Sequence, residues 1–152
     1  MRISKHISYK EAVHSNTAKR RGIENKPNDD QLYNMAKVAH NIFEPLRLYV
    51  GGAIKINSFF RSEELNKAIG GSSKSQHCQG CAIDIDDIYG HKSNYQMFEY
   101  IRENLDFDQL IYEFGDADNP DWVHVSYVSS KENRNRVLRA VKNNGKTSYQ
   151  LF

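Results

Sequence analysis

Two stretches concentrate residue types that bind metals and move protons. One is Ser75-Gln76-His77-Cys78-Gln79-Gly80-Cys81-Ala82-Ile83-Asp84, the other Asp121-Trp122-Val123-His124-Val125-Ser126. His77 ends a polar, flexible loop of Gly, Ser and Lys over 70–75, and Asp84 sits on the alternating segment that follows. His124 lies between Val123 and Val125, so on a strand it points away from their face. Two imidazoles and one carboxylate suit Zn2+ and leave a fourth position for water. An open position means Lewis-acid chemistry with an activated water, where a structural site would be closed. On spacing alone, Asp86 or Cys78 could equally be nominated as a ligand. Asp84 beside Asp86 and Asp87 also reads simply as a solvated strand end.

These residues need a scaffold. Alternation predicts strands over 53–60, 81–88, 109–114 and 122–128. The most secure helix begins at Asn28-Asp29-Asp30 and runs to about Pro45, with Leu32, Met35, Ala36, Ala39, Ile42 and Phe43 at helical spacing. Ser8 caps a short helix over 9–14, and Lys19-Arg20-Arg21-Gly22 reads as a helix end. Ser62 and Ser93 cap helices to about Ile69 and Leu105. A last, basic helix is predicted over 131–143, with Val137, Leu138 and Val141 as its apolar stripe, stopping near Gly145. Helices around strands joined mostly by long connections make the class α+β.

Composition narrows the function classes. The chain has 152 residues, which favours one domain over 1–152, with 1–28 as a helical extension packed on it. Aromatic residues make up 11% and there are only three prolines, which argues against disorder. A net charge of +2, from 21 basic and 19 acidic residues, is too balanced for a dedicated nucleic-acid binder. No apolar run is long enough to span a membrane. Met1-Arg2-Ile3-Ser4-Lys5-His6 lacks the apolar core of a secretory signal, so synthesis in the cytoplasm is expected. Two cysteines cannot make a disulfide framework. Cys78-x-x-Cys81 lacks both a second cysteine pair for a zinc ribbon and the βαβ setting of a redox motif; the two read as incidental, reduced thiols.

Ser-x-His-x-x-Gly-x-Ala-x-Asp, followed by a carboxylate-x-x-His, resembles the signature of the zinc D-alanyl-D-alanine carboxypeptidases and L-alanyl-D-glutamate endopeptidases. These share the hedgehog/DD-peptidase fold, which implies an antiparallel sheet flanked by helices. The first motif is complete from Ser75 to Asp84, and the second reads Asp121-Trp122-Val123-His124. The stretch 58–66 with Gly70-Gly71 looks like that family's substrate-side segment. Asn16-Thr17-Ala18 and Gly22-Ile23 are similar to small phage-type and bacterial members.

Carried over residue by residue, the resemblance implies Zn2+ held by His77, Asp84 and His124. Asp121 matches the family's catalytic carboxylate, taking a proton from water and returning it to the leaving amine. Many members have Glu there; Glu113 and Asp116 are nearby carboxylates able to do the same job. Arg61 matches the arginine near the scissile bond, catalytic and substrate-binding, and Ser75 matches a substrate-binding hydroxyl. Trp122 reads as core rather than a wall of the site. The implied partner is a peptidoglycan peptide, with no nucleic acid or membrane, and the expected state is a monomer. If the chain is endolysin-like, it acts on the cell wall after release. The rival reading is a non-catalytic zinc-containing binding module of the same fold.

Overall fold

The computed structural model describes residues 1–152. Strands β1 (Arg2–Ser4) and β2 (Ile7–Ser8) form a small ribbon, followed by α1 (Tyr9–Ala12) and α2 (Asn16–Arg21). Helix α3 (Asp29–Val38) passes through a π-helical turn (Ala39–Phe43) into α4 (Glu44–Val50). Next come β3 (Lys55–Ser58), α5 (Glu63–Ala68), a 3-10 turn (Gln76–Gln79), β4 (Ala82–Asp86) and α6 (Asn94–Asn104). The chain closes with β5 (Gln109–Glu113), β6 (Trp122–Ser126), β7 (Arg136–Asn143) and β8 (Lys146–Leu151). No helix is long and apolar enough to cross a membrane.

The helix starts follow from local chemistry. Asn28 and Gln31 form a reciprocal capping box at α3, as do Ser93 and Gln96 at α6. Ser8, Ser15 and Ser62 cap α1, α2 and α5 through their hydroxyls. The long helix does not stop at Pro45. The π turn beforehand bonds Glu44 N–H to the Ala39 carbonyl, and Pro45 falls in the first turn of α4, where its missing donor costs little. Gly51, at φ 75, ends the run instead.

The larger sheet has the order β3-β4-β6-β5-β7-β8. Every pairing is antiparallel except β5 with β7, so the sheet is mixed and not the antiparallel one expected. One face carries Ile83, Ile85, Leu110, Tyr112, Val123 and Val125, buried in a single core with Met35, Val38, Ile42, Leu46, Met97, Phe98 and Ile101 from the helices. Each fully buried aliphatic side chain contributes about 2 kcal/mol. That packing fixes the register, because a one-residue slip would turn the apolar set outward. It also decides what the opposite face displays: Asp84, His124 and Glu113 alternate with the core residues on the same strands.

The N-terminal segment shares this core through Ile3, Ile7 and Ala12. Glu44 pins the β1–β2 turn, accepting from Ser4 Oγ at 2.6 Å and His6 N–H at 2.9 Å. Asn25 ties this region to the site: it donates to the Phe60 carbonyl at 3.1 Å and accepts from Ser62 N–H at 2.7 Å, on either side of Arg61.

The predicted basic helix over 131–143 is instead a hairpin, β7 and β8. Val137, Arg139 and Val141 alternate with Leu138 and Ala140, so both faces of a strand have apolar residues to bury. Asn144 at φ 52 and Gly145 at φ 78 make the left-handed turn that two-residue hairpins require. The free edge of β5 supplies the partner, from Gln109↔Arg136 to Glu113↔Ala140.

Candidate metal centre

Strand pairing sets the ligand candidates side by side. Asp84 is directly opposite His124, which is opposite Ile111, which is opposite Leu138, so one row crosses the sheet on the face away from the helices. His124 Nδ1 and Asp84 Oδ1 are 2.8 Å apart. His77 arrives from the 3-10 turn, whose N-cap is Ser75; the Ser75 hydroxyl accepts the His77 N–H at 3.3 Å. Gly80 ends that turn at φ 77, and a Cβ there would lie 2.6 Å from the Gln31 carbonyl oxygen and 2.9 Å from Met35 Cγ. Only glycine meets both the backbone angle and the close approach of α3.

Gln76 anchors the same turn. Its amide donates to Asp108 Oδ2 at 2.9 Å, and Asp108, 2% exposed, receives Arg134 Nε at 2.9 Å and Nη2 at 2.8 Å. The Arg134 hydrogen bonds hold the Asp108 carboxyl below its ordinary value against the opposing effect of burial. Neither Gln76 nor Asp108 stands out in the sequence, because their pairing depends on a contact between distant segments.

His77 is 1% exposed. Its Nδ1 lies 2.7 Å from the Phe59 carbonyl, which can only accept, so the proton sits on Nδ1. Burial pushes this imidazole below its ordinary pKa, although Asp84 pulls the other way. Burial also opposes ionisation of Asp84, but His77 and His124 outweigh it and hold the carboxyl far below the usual carboxylate range. A neutral His77 therefore turns its Nε2 lone pair toward an ionised carboxylate, 3.2 Å from Asp84 Oδ2. This buried nitrogen has no hydrogen-bond partner. A buried acceptor facing an anion is costly, and a cation shared by the two relieves it. The ligand atoms of His77, Asp84 and His124 all lie within 4.8 Å of one another. Two imidazole nitrogens and one carboxylate oxygen fit Zn2+.

The other nominees go elsewhere. Asp86 accepts from Asn94 Nδ2 at 2.7 Å, and Cys78 lines depressions beside Glu63 and Ser73, away from the cluster. Cys78 and Cys81 are free thiols, pushed above their ordinary pKa by burial.

The cluster opens into a cleft of about 610 Å3 whose walls include Arg61, Ser75, Glu113, Trp122 and Tyr149. Arg61 donates to Asn66 Oδ1 at 3.2 Å and keeps a buried Nε without a partner. Burial lowers its pKa while the Asp84 carboxylate raises it. Trp122 is a half-buried wall and not core, edge-on to Phe114 at 5.4 Å.

The structure does not bring Asp121 into this cleft. Its side chain is exposed and lines a neighbouring depression with Phe114, Trp122 and Lys142, while its N–H donates to the Glu113 carbonyl at 2.9 Å. Asp121 lies just before β6, outside the strand whose register places His124. Asp116 is spent on a turn, accepting from Asp118 and Asn119 N–H. Glu113 occupies the useful place: 7% exposed, opposite Trp122 on β6, and on the cleft wall. Burial pushes its carboxyl up to about 7, with His124 lowering it and Asp84 raising it.

Three convergent ligand atoms at the floor of a cleft are arranged as the side chains of a mononuclear metal site would be. The family model for Peptidase M15 matches residues 5–126, and the chain belongs to that peptidase family. His77, Asp84, His124, Arg61, Ser75, Glu113 and Asp121 all lie within the matched span, whereas β7 and β8 lie outside it. No curated protein matches the chain.

Proposed function

We propose that the chain is a single-domain zinc peptidase of the hedgehog/DD-peptidase type that hydrolyses amide bonds in peptidoglycan stem peptides. The observation that carries this reading is the convergence of His77, Asp84 and His124 around a buried, partnerless His77 Nε2. Zinc bound there supplies Lewis-acid polarisation and lowers the pKa of coordinated water to about 7.

The chain's own residues do the rest. The Phe59 carbonyl fixes the His77 tautomer, so Nε2 is the ligand atom. Asp84 and His124 are held face to face by strand register. Glu113, buried on the cleft wall beside the ligand row, takes a proton from the attacking water and returns it to the leaving amine. Arg61, on the cleft wall, holds a carbonyl or carboxylate oxygen of the peptide through its guanidinium. The Ser75 hydroxyl accepts from His77 N–H and keeps its own proton for the substrate. A non-catalytic binding module would have no use for a buried carboxylate beside the ligands.

Two bonds are compatible with this machinery, a terminal D-Ala-D-Ala bond and an internal L-Ala-D-Glu bond. Mass spectrometry of purified muropeptides incubated with zinc-loaded protein decides between them. Loss of one alanine marks a carboxypeptidase and release of a whole peptide an endopeptidase. Unchanged masses refute the proposed activity.

A further inference from the structure

Residues 127–152 lie beyond the family match, yet they build one bank of the cleft. The sheet order puts β3 and the His77 turn toward one edge and the β7–β8 hairpin at the other. From the hairpin, Leu138, Thr147 and Tyr149 line the cleft, facing Arg61 and Ser75 across the ligand row. Register explains the placement of Tyr149: it pairs with Ala140, which pairs with Glu113, which pairs with Trp122, in the row next to the ligands. Period-two alternation along β8 places Thr147 and Tyr149 on one face.

Ala140 is the pivot of this arrangement. It is fully buried and presents only a methyl group between Glu113 and Tyr149, so the phenol can lean across it. Tyr149 lines the cleft with Glu113 and Asp84, and burial, with a smaller push from those carboxylates, raises its pKa, so the hydroxyl is protonated at neutral pH. The residue remains 56% exposed, open to a ligand arriving in the cleft.

We infer that Tyr149 is a substrate-contacting, specificity-determining residue: its hydroxyl donates a hydrogen bond to a carbonyl or carboxylate oxygen of the bound peptide, on the bank opposite Arg61. The inference rests on the peptidase reading for its substrate class. It makes the C-terminal hairpin part of the binding site, with Arg61 and Tyr149 gripping the peptide from two sides of the His77, Asp84 and His124 cluster.

Calorimetric titration of a disaccharide-pentapeptide muropeptide into zinc-loaded protein tests it, with Glu113→Gln as the background in which turnover is suppressed. Steady-state kinetics on the otherwise native chain run in parallel. Tyr149→Phe removes only the hydroxyl and weakens binding ~10-fold, raising KM by a similar factor with kcat within ~2-fold. Zinc content and thermal midpoint stay as in the parent. Tyr149→Ala, which also removes the ring, weakens binding further. Affinity of Tyr149→Phe equal to the parent overturns the inference, as does failure of the parent to bind the muropeptide. Absence of turnover in the native chain sinks the peptidase reading alone, because the binding comparison still decides on Tyr149.

Discussion

Replacing Glu113 by Gln should make the metal-free protein more stable and the zinc-loaded protein nearly inactive. The carboxyl is 7% exposed, and burial moves its pKa from 4.5 to about 7. A rise of that size disfavours the ionised form by roughly 3 kcal/mol. The sign follows from linkage. The unfolded chain ionises this group near 4.5 while the folded chain keeps it protonated to about 7. Stability is therefore greatest below pH 4.5 and falls as pH rises through the window 4.5 to 7. Glutamine has no such window. Urea unfolding of both metal-free proteins at pH 5 and pH 8 should show the variant gaining on the native chain by ~1–3 kcal/mol at the higher pH. Peptide hydrolysis by the zinc-loaded variant should fall ~100- to 10,000-fold, the usual range for loss of a general base. Asp121→Asn, altering an exposed carboxylate outside the cleft, should stay within ~3-fold of native. Equal pH dependence of the two stabilities, or hydrolysis lost in Asp121→Asn and kept in Glu113→Gln, would refute the assignment.

Zinc itself should move the titration of Glu113. A cation nearby favours the carboxylate, so the carboxyl midpoint, followed by carbon NMR, should lie near 7 without metal and drop when zinc is added. Asp108→Ala should cost about 1–3 kcal/mol in urea unfolding, because it strips the partner from Gln76 and Arg134, and it should weaken zinc retention by loosening the His77 turn. Arg134 is about half exposed, so Arg134→Ala should cost less than Asp108→Ala. Gly80→Ala should destabilise by about 1–3 kcal/mol through its left-handed φ and the clash with the Gln31 carbonyl, measurable as a lower denaturation midpoint.

Much of the scaffold was legible because local rules and tertiary demands agree in it. The Asn28 and Ser93 caps, the apolar stripe of α3, and the alternation around Asp84 and His124 all point to the elements observed. Residues 131–143 satisfy a helical stripe as well as a strand alternation, so local pattern alone favours a helix where the structure has a hairpin. Asn144-Gly145 was the deciding signal, a turn pair that favours a hairpin over a helix end. The parallel pairing of β5 with β7 has no local signature at all. The family resemblance points to Asp121 as the base, yet the choice among carboxylates depends on cross-strand register. That register sets Glu113 opposite Trp122 on the cleft face. The partnerless His77 Nε2, the strongest sign of a cation, follows from a contact with the Phe59 carbonyl that no motif encodes.

The most direct test of the central claim is the zinc content of the purified protein by elemental analysis, with X-ray absorption to count the imidazoles, for the native chain and for His77→Ala, Asp84→Ala and His124→Ala. The native chain should hold one zinc, coordinated by two imidazoles and oxygen, and each variant should lose it. A native chain that takes up no zinc, or variants that keep it unchanged, would contradict the claim.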